Sequence, residues 1–250
     1  MIRLENVTKI FFDTDAPAVS NVSLKVERGE LLVILGKSGC GKTTLLKMIN
    51  RLTEPTRGNI YIDEKKTAQM DLIELRRGIG YVVQGIGLFP HMNIFENVAL
   101  VPKLLGWDKA KIQETVLHWL NTVRLDPKKF GFLFPSELSG GQQQRVGVAR
   151  ALAANQEIVL MDEPFGALDP ITREELQEEL IELEKLVHRT VIFVTHDIFE
   201  AFRLATHIAI MDQGIIIQHD KPKTILEYPL NDFVVKFLGR HRKSLTQEIR

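Results

Sequence analysis

Gly36-Lys37-Ser38-Gly39-Cys40-Gly41-Lys42-Thr43 directly follows the apolar run Leu31 to Leu35 and opens a second apolar stretch, Leu45 to Ile49. The octapeptide fits G-x-x-x-x-G-K-[ST] between a strand and a helix, the context in which this pattern cradles phosphate. Its glycines let successive backbone N–H groups turn toward an anion, the helix N-terminus adds a favourable dipole, and Lys42 supplies a point charge. The Thr43 hydroxyl suits Mg²⁺, and Thr44 is the next residue expected to touch a nucleotide. The loop alone fits a kinase, a GTPase or a motor equally well, so it sets an α/β fold without setting an activity.

Outward from the loop, two kinds of strand are expected. Ile2 to Val7, Val22 to Val26 and, after the turn Pro55-Thr56-Arg57-Gly58, Asn59 to Asp63 alternate in polarity as an antiparallel sheet does. Leu31 to Leu35, Ile79 to Val83, Ile158 to Met161, Val191 to Thr195 and Ile208 to Met211 are near-continuous apolar runs. Such runs belong to a mainly parallel sheet covered on both faces. Between Gln84 and about Asn155 helical patterns take over, and an inserted helical subdomain is expected over about 88–155. Ala110 to Val123 sets Ile112, Val116, Leu117 and Leu120 on one face. Thr172 to His188 does the same with Leu176, Leu180, Leu183 and Val187. Residues 1–240 read as one domain, and 241–250, with the basic Arg240-His241-Arg242-Lys243, as a short solvated tail.

Composition narrows the partners. The 250 residues carry 32 basic and 32 acidic side chains, which argues for neither nucleic acid nor an anionic membrane surface. A single cysteine, Cys40, precludes an intrachain disulfide and favours a reducing compartment. The apolar runs are strand-sized, far below the roughly 18 residues of a membrane-spanning helix, and no secretory signal is expected at the N-terminus.

Two further segments carry chemistry. Ile158 to Glu163 is an apolar strand ending in two carboxylates, where parallel strands place their ligands. Asp162 is expected to hold Mg²⁺ through its waters and Glu163 to polarise an attacking water. Leu138-Ser139-Gly140-Gly141-Gln142 precedes a helix read over Gln143 to Ala154, so Ser139, Gly140, Gly141 and Gln142 make a second anion site at a helix N-terminus. Two phosphate-type sites about 100 residues apart in one chain are reconciled by a head-to-tail dimer. Each ATP is then sandwiched between the loop of one copy and the Ser139 segment of the other.

The order of phosphate loop, Gln84, Leu138 to Gln142, Ile158 to Glu163, Ala167-Leu168-Asp169 and His196 resembles an ABC-transporter ATPase over essentially the whole chain. The resemblance implies a P-loop NTPase core with an N-terminal antiparallel β-subdomain and an inserted helical subdomain. It implies ATP and Mg²⁺ as cofactors, Gln84 as a sensor of Mg²⁺ and the nucleophilic water, Asp169 as a dimer contact, and His196 on the γ-phosphate. Phe11 stands where the family usually stacks a tyrosine or tryptophan on adenine, with Phe12 beside it as the alternative. DNA-repair ATPases share both phosphate-type segments but insert a long coiled coil, and no sustained heptads separate Gln84 from Leu138.

Met48-Ile49-Asn50-Arg51-Leu52, Ile86 to Met92, Val101 to Trp107 and Pro164 to Arg173 together resemble the osmoprotectant importer ATPases. That group takes up quaternary amines such as glycine betaine, carnitine, choline or proline betaine; an importer of another solute, such as an amino acid, is the alternative. The resemblance implies a peripheral subunit at the cytoplasmic face of the membrane, held by permease subunits and served indirectly by an extracytoplasmic binding protein. Two departures stand out: Gly85 follows Gln84 where a polar residue is common, and Phe199 precedes Glu200 where an acidic residue is usual. Many members continue into a tandem regulatory domain, and control through such a domain is not expected of this chain.

Overall fold

The computed structural model describes residues 1–12, 16–85, 87–166, 168–187, 189–239 and 241–248. The chain starts with β1 (Ile2–Lys9), β2 (Val19–Val26) and β3 (Leu31–Leu35), then α1 (Lys42–Ile49), β4 (Arg57–Ile62), β5 (Lys65–Lys66) and α2 (Leu72–Arg77). β6 (Ile79–Val82) leads into α3 (Ile94–Leu104), α4 (Lys109–Thr122), α5 (Pro127–Phe130), α6 (Gly140–Leu152), β7 (Ile158–Asp162) and α7 (Pro170–Val187). After β8 (Thr190–Thr195) come α8 (Ile198–Leu204), β9 (His207–Asp212), β10 (Ile215–Asp220), α9 (Pro222–Glu227), α10 (Asp232–Leu238) and α11 (His241–Glu248). These elements fall into two compact units, residues 1–75 with 188–250, and residues 76–187.

In the first unit β1 pairs antiparallel with both β2 and β4, in register Leu4 to Leu24 and Leu4 to Ile60. The alternation puts Ile2, Leu4, Val22, Leu24, Val26 and Ile60 inside. β3 is different: all five side chains are fully buried, each contributing about 1.5–3 kcal/mol through removal from water. It lies between β8 and β9, parallel to both, and β10 pairs antiparallel with β9. The second unit holds the parallel pair β6 and β7, Ile79 opposite Ile158, with α3 packed against α4 and α6. Gly80 of β6 is a close approach: a Cβ there would lie 2.2 Å from the Ala151 carbonyl of α6.

Three expectations are corrected. α4 buries Trp119 beside Ile112, Val116 and Leu120, whereas Leu117 is exposed, because the buried stripe follows the i, i+4, i+7, i+8 positions. Residues 241–248 form a helix rather than a loose tail, with Leu245 fully buried, Arg242 Nε donating to the Leu226 carbonyl at 2.9 Å, and His241 edge-on to Phe199 at 5.0 Å. α6 starts at Gly140, not Gln143, because Ser139 caps it. The side chains of Leu183 and Val187, and Ala167 and Ile86, lie outside the described residues.

Candidate active site

In the first unit β3 ends at Leu35 and the chain turns through residues 36–41 into α1. Two glycines there are sterically required. A Cβ on Gly36 would sit 2.2 Å from the Met211 carbonyl, and one on Gly41 would sit 2.2 Å from the Ala18 carbonyl, with φ already at +108°. Gly41 caps α1 without a side chain, and no acidic residue occupies the first turn. The N-terminal dipole is therefore not neutralised by a side chain of the helix itself. Lys42, only 4% exposed, curls back so that its Nζ donates to the Gly36 and Lys37 carbonyls at 2.8 and 2.9 Å. Those bonds hold an ammonium over the loop, and Thr43 and Thr44 follow, half-buried. Lys37, Ser38 and Gly39 are exposed on the turn, and Cys40 is buried behind it.

β3 pairs with β8 through Leu35 and Thr195, so Gly36 and His196 are the residues that immediately follow two neighbouring strand ends. His196 is exposed. Its turn is held from below: Thr195 Oγ1 donates to Glu200 Oε2 at 2.6 Å and accepts from Asp197 N at 3.0 Å, while Asp197 caps α8. Ala18, against Gly41, is bonded through its N–H to the Lys9 carbonyl at 2.8 Å, which brings the end of β1 to the same edge. There the Lys9 ammonium lies 5.1 Å from the Phe11 ring centroid, whereas Phe12 is wholly exposed.

The second unit gathers the remaining groups. Val82 pairs with Met161, so Gln84 and the Asp162-Glu163 pair share the C-terminal edge of β6 and β7. Gln84 Nε2 donates to Glu163 Oε2 at 3.5 Å. Glu163 has φ +46°, a left-handed conformation that costs a non-glycine residue about 1–2 kcal/mol and is concentrated at functional sites. Asp162 is 2% exposed; burial, and next the Asp162 charge, push the Tyr81 hydroxyl pKa well above its ordinary value.

Ser139 caps α6 reciprocally: its Oγ accepts from Gln142 N at 3.3 Å, and Gln142 Oε1 accepts from Ser139 N at 3.0 Å. Gly141 packs on α7, where a Cβ would meet Thr172 Cγ2 at 2.4 Å. Asp169 in turn caps α7, accepting from Thr172 N at 3.1 Å, and the bonds from Thr172 hold its carboxyl below the ordinary range.

Sequence patterns alone overlooked three supporting residues. Asn97, fully buried, accepts from Phe89 N and donates to the Phe89, Met92 and Asn93 carbonyls, fixing the chain that leaves Gln84. Arg150 Nη1 donates to the Gly87 carbonyl at 2.9 Å, and burial lowers its pKa. Thr172 links the Ser139 turn to Asp169. The one available signal was a polar Asn97 on the apolar face of α3.

The expected metal donors, Thr43, Gln84 and Asp162, offer oxygen only, which suits Mg²⁺, an ion that needs one or two protein ligands and takes the rest from water and phosphate. Among the described residues no cluster of three or more His, Cys, Asp or Glu side chains is arranged to hold a metal.

Residues 19–166 match the family described as ABC transporter. The chain belongs to that family. Among its ABC relatives, the osmoprotectant import ATP-binding protein OsmV of Salmonella typhimurium is 51% identical, over 97% of this chain and 64% of its own length. The choline transport ATP-binding protein OpuBA of Bacillus subtilis is 52% identical, over 97% of this chain and 63% of its own. The glycine betaine uptake system ATP-binding protein YehX of Escherichia coli is 46% identical, over 96% and 77%. The chain thus spans less than two thirds of the length of the first two relatives. Among solved structures, a dimeric post-hydrolysis state of the ATP-binding cassette MJ0796 with ADP and Pi superposes with a TM-score of 0.80 at 38% identity, covering 89% of this chain and 99% of that one. The fold is that of an ABC ATPase cassette. No helix among the described residues is long and apolar enough to cross a membrane.

Proposed function

We propose that this ABC cassette binds and hydrolyses Mg·ATP, and that it energises an importer of osmoprotectants of the quaternary amine class. The observation that supports the first part is the presence, in one chain, of two places suited to an anion: the loop beneath the Lys42 ammonium and the Ser139-capped start of α6. Two copies arranged head to tail bring the loop of one against the Ser139 turn of the other, and the relationship to a dimeric cassette with ADP and Pi supports this arrangement. The similarity to osmoprotectant, choline and glycine betaine ATP-binding proteins supports the solute class.

In this reading Lys42 and the loop amides bind the phosphates, Phe11 stacks on adenine through its π-face, and Thr43, Asp162 and Gln84 hold Mg²⁺. The ion supplies neutralisation of phosphate charge when bound. Glu163 accepts a proton from the attacking water, Gln84 orients that water, and His196 donates to the γ-phosphate. Asp169 contacts the second copy. ATP-driven closure shifts a permease between inward- and outward-facing states through differential affinity for the two, and hydrolysis reopens the pair. The cassette sits at the cytoplasmic membrane face, held by the permease, while an extracytoplasmic protein selects the solute.

Lys42→Ala tests the nucleotide site: equilibrium binding is expected to show ATP affinity lost, and unchanged affinity would remove the loop from the role. Reconstitution with the permease and binding protein tests the solute. Hydrolysis is expected to rise with a quaternary amine; stimulation only by another solute class, such as amino acids, overturns that assignment.

A further inference from the structure

Glu179 on α7 is 4% exposed, and among the described residues neither of its carboxylate oxygens has a hydrogen-bond partner. Its Oε1 instead lies between two guanidiniums, Arg124 Nε at 3.3 Å and Arg145 Nη2 at 3.4 Å. It borders a cavity of about 10 Å³ whose other walls include Val148 of α6, Met161 of β7 and Phe165, two residues beyond Glu163. Burial raises the carboxyl pKa, with the pull of Arg145 and then Arg124 opposing it. As a source of stability the group is poorly chosen. Apolar side chains of similar volume commonly stabilise such a position as well or better, whereas a buried ionic group specifies one arrangement of its neighbours.

The arrangement it specifies runs to the anion site. Arg145 Nη2 also donates to Glu175 Oε2 at 3.1 Å, so one guanidinium spans two carboxylates a helical turn apart on α7. Four residues earlier on α6, Gly141 meets Thr172, three residues before Glu175. The seam therefore starts at the Ser139 turn and at Asp169, which caps Thr172, and ends at Glu179 against the wall formed by β7. Apolar packing can be satisfied by more than one arrangement, whereas a guanidinium nitrogen shared by two carboxylates specifies one.

We propose that Arg145 and Glu179 are positioning residues, which hold the Ser139–Gln142 turn and the Asp169 turn in a single fixed relation so that both meet a second copy's nucleotide together. This rests on the nucleotide-sandwich reading above. Neither residue belongs to the loop that binds ATP within its own chain, so the two functions separate experimentally.

The test uses the full chain in a Glu163→Gln background, which is expected to retain ATP without rapid turnover. ATP binding, ATP-dependent dimerisation by sedimentation velocity, and thermal midpoint are measured for Arg145→Lys, Glu179→Gln and the apolar pair Arg145→Met with Glu179→Leu. Expected for all three is ATP affinity within about twofold of the parent and a dimer dissociation constant raised roughly tenfold or more, with the apolar pair unfolding at or above the parental temperature. Parental dimerisation by the apolar pair overturns the proposal, since packing alone would then suffice. A thermal midpoint that collapses in the apolar pair overturns it too, by making the residues structural. A parent that binds no ATP, or binds it without dimerising, refutes the sandwich itself, and the proposal with it.

Discussion

Gln84 and Glu163 face each other across the C-terminal edge of two parallel strands, with the amide donating to the carboxylate at 3.5 Å. That separation is long for an N–H···O bond, whose usual range ends near 3.2 Å, so the pair holds position without being closed to a third group. Glu163→Gln keeps the shape and removes the proposed base. Phosphate release at saturating ATP is expected to fall by roughly 10²- to 10⁴-fold with binding retained. Near-parental turnover would take Glu163 out of the mechanism.

The loop glycines should not be equivalent. Gly41→Ala places a methyl group 2.2 Å from the Ala18 carbonyl at φ +108°, whereas Gly39→Ala, at φ +79°, enters open space. Backbone strain alone costs about 1–2 kcal/mol, which for a chain of this size lowers Tm by several degrees. Gly39→Ala is expected to show that modest loss; Gly41→Ala must also move backbone, losing more stability and ATP binding. Equal effects in thermal unfolding would contradict the steric distinction.

Those same glycines show what was legible beforehand. The glycine-rich turn from β3 into α1, the β3 bounds and the carboxylates ending β7 were readable because each rests on local pattern: an apolar run, then residues whose chemistry depends on their immediate neighbours. The Ser139 turn was readable as preceding a helix, but the sequence pattern starts that helix at Gln143 rather than Gly140, since glycines weaken a helical pattern that the cap restores. Hairpin strand β10 and helices α8 to α11 escaped because their burial is set by distant partners, as Leu245 shows. Arg150, Asn97 and Thr172 act through carbonyls and contacts far along the chain, and spacing cannot register those. Leu117 and Trp119 show the limit from the other side: both fit an apolar helix, and only packing decides which is covered.

Cys40 offers a chemical probe of the loop. Burial raises its thiol pKa, against the pull of the nearby Lys42 ammonium, so little thiolate exists at neutral pH. Labelling by a bulky maleimide is expected to be slow at pH 7 and to accelerate as the pH rises past the ordinary thiol value of 9.0. Once complete, it should abolish ATP binding, because Sγ lies only 2.7 Å from where a Cβ on Gly36 would stand. Full labelling with undiminished binding would refute this.

His219 gives the chain an acid-side sensitivity. Burial lowers its pKa below the ordinary 6.5, with Glu30 opposing, His207 reinforcing and Asp220 opposing in turn. The unfolded chain therefore takes up this proton first as pH falls, so the contribution to stability is complete above about 6.5 and is lost as pH falls through the lower folded-state value. Denaturant midpoints measured across that window should depend less on pH in His219→Gln. An unchanged slope would assign the sensitivity to another group.

Ser139 and Gln142 exchange bonds with each other across the first turn of α6. In the proposed sandwich the Gln142 amide oxygen is a placeholder, occupying a backbone donor at the mouth of α6 for which a phosphate oxygen would compete. This helix end is satisfied from within, so in the proposed sandwich a nucleotide would exchange one acceptor for another instead of ordering an unmade site. Assembly on that proposal would be limited less by building the receiving surface than by displacing a side chain that already imitates the guest.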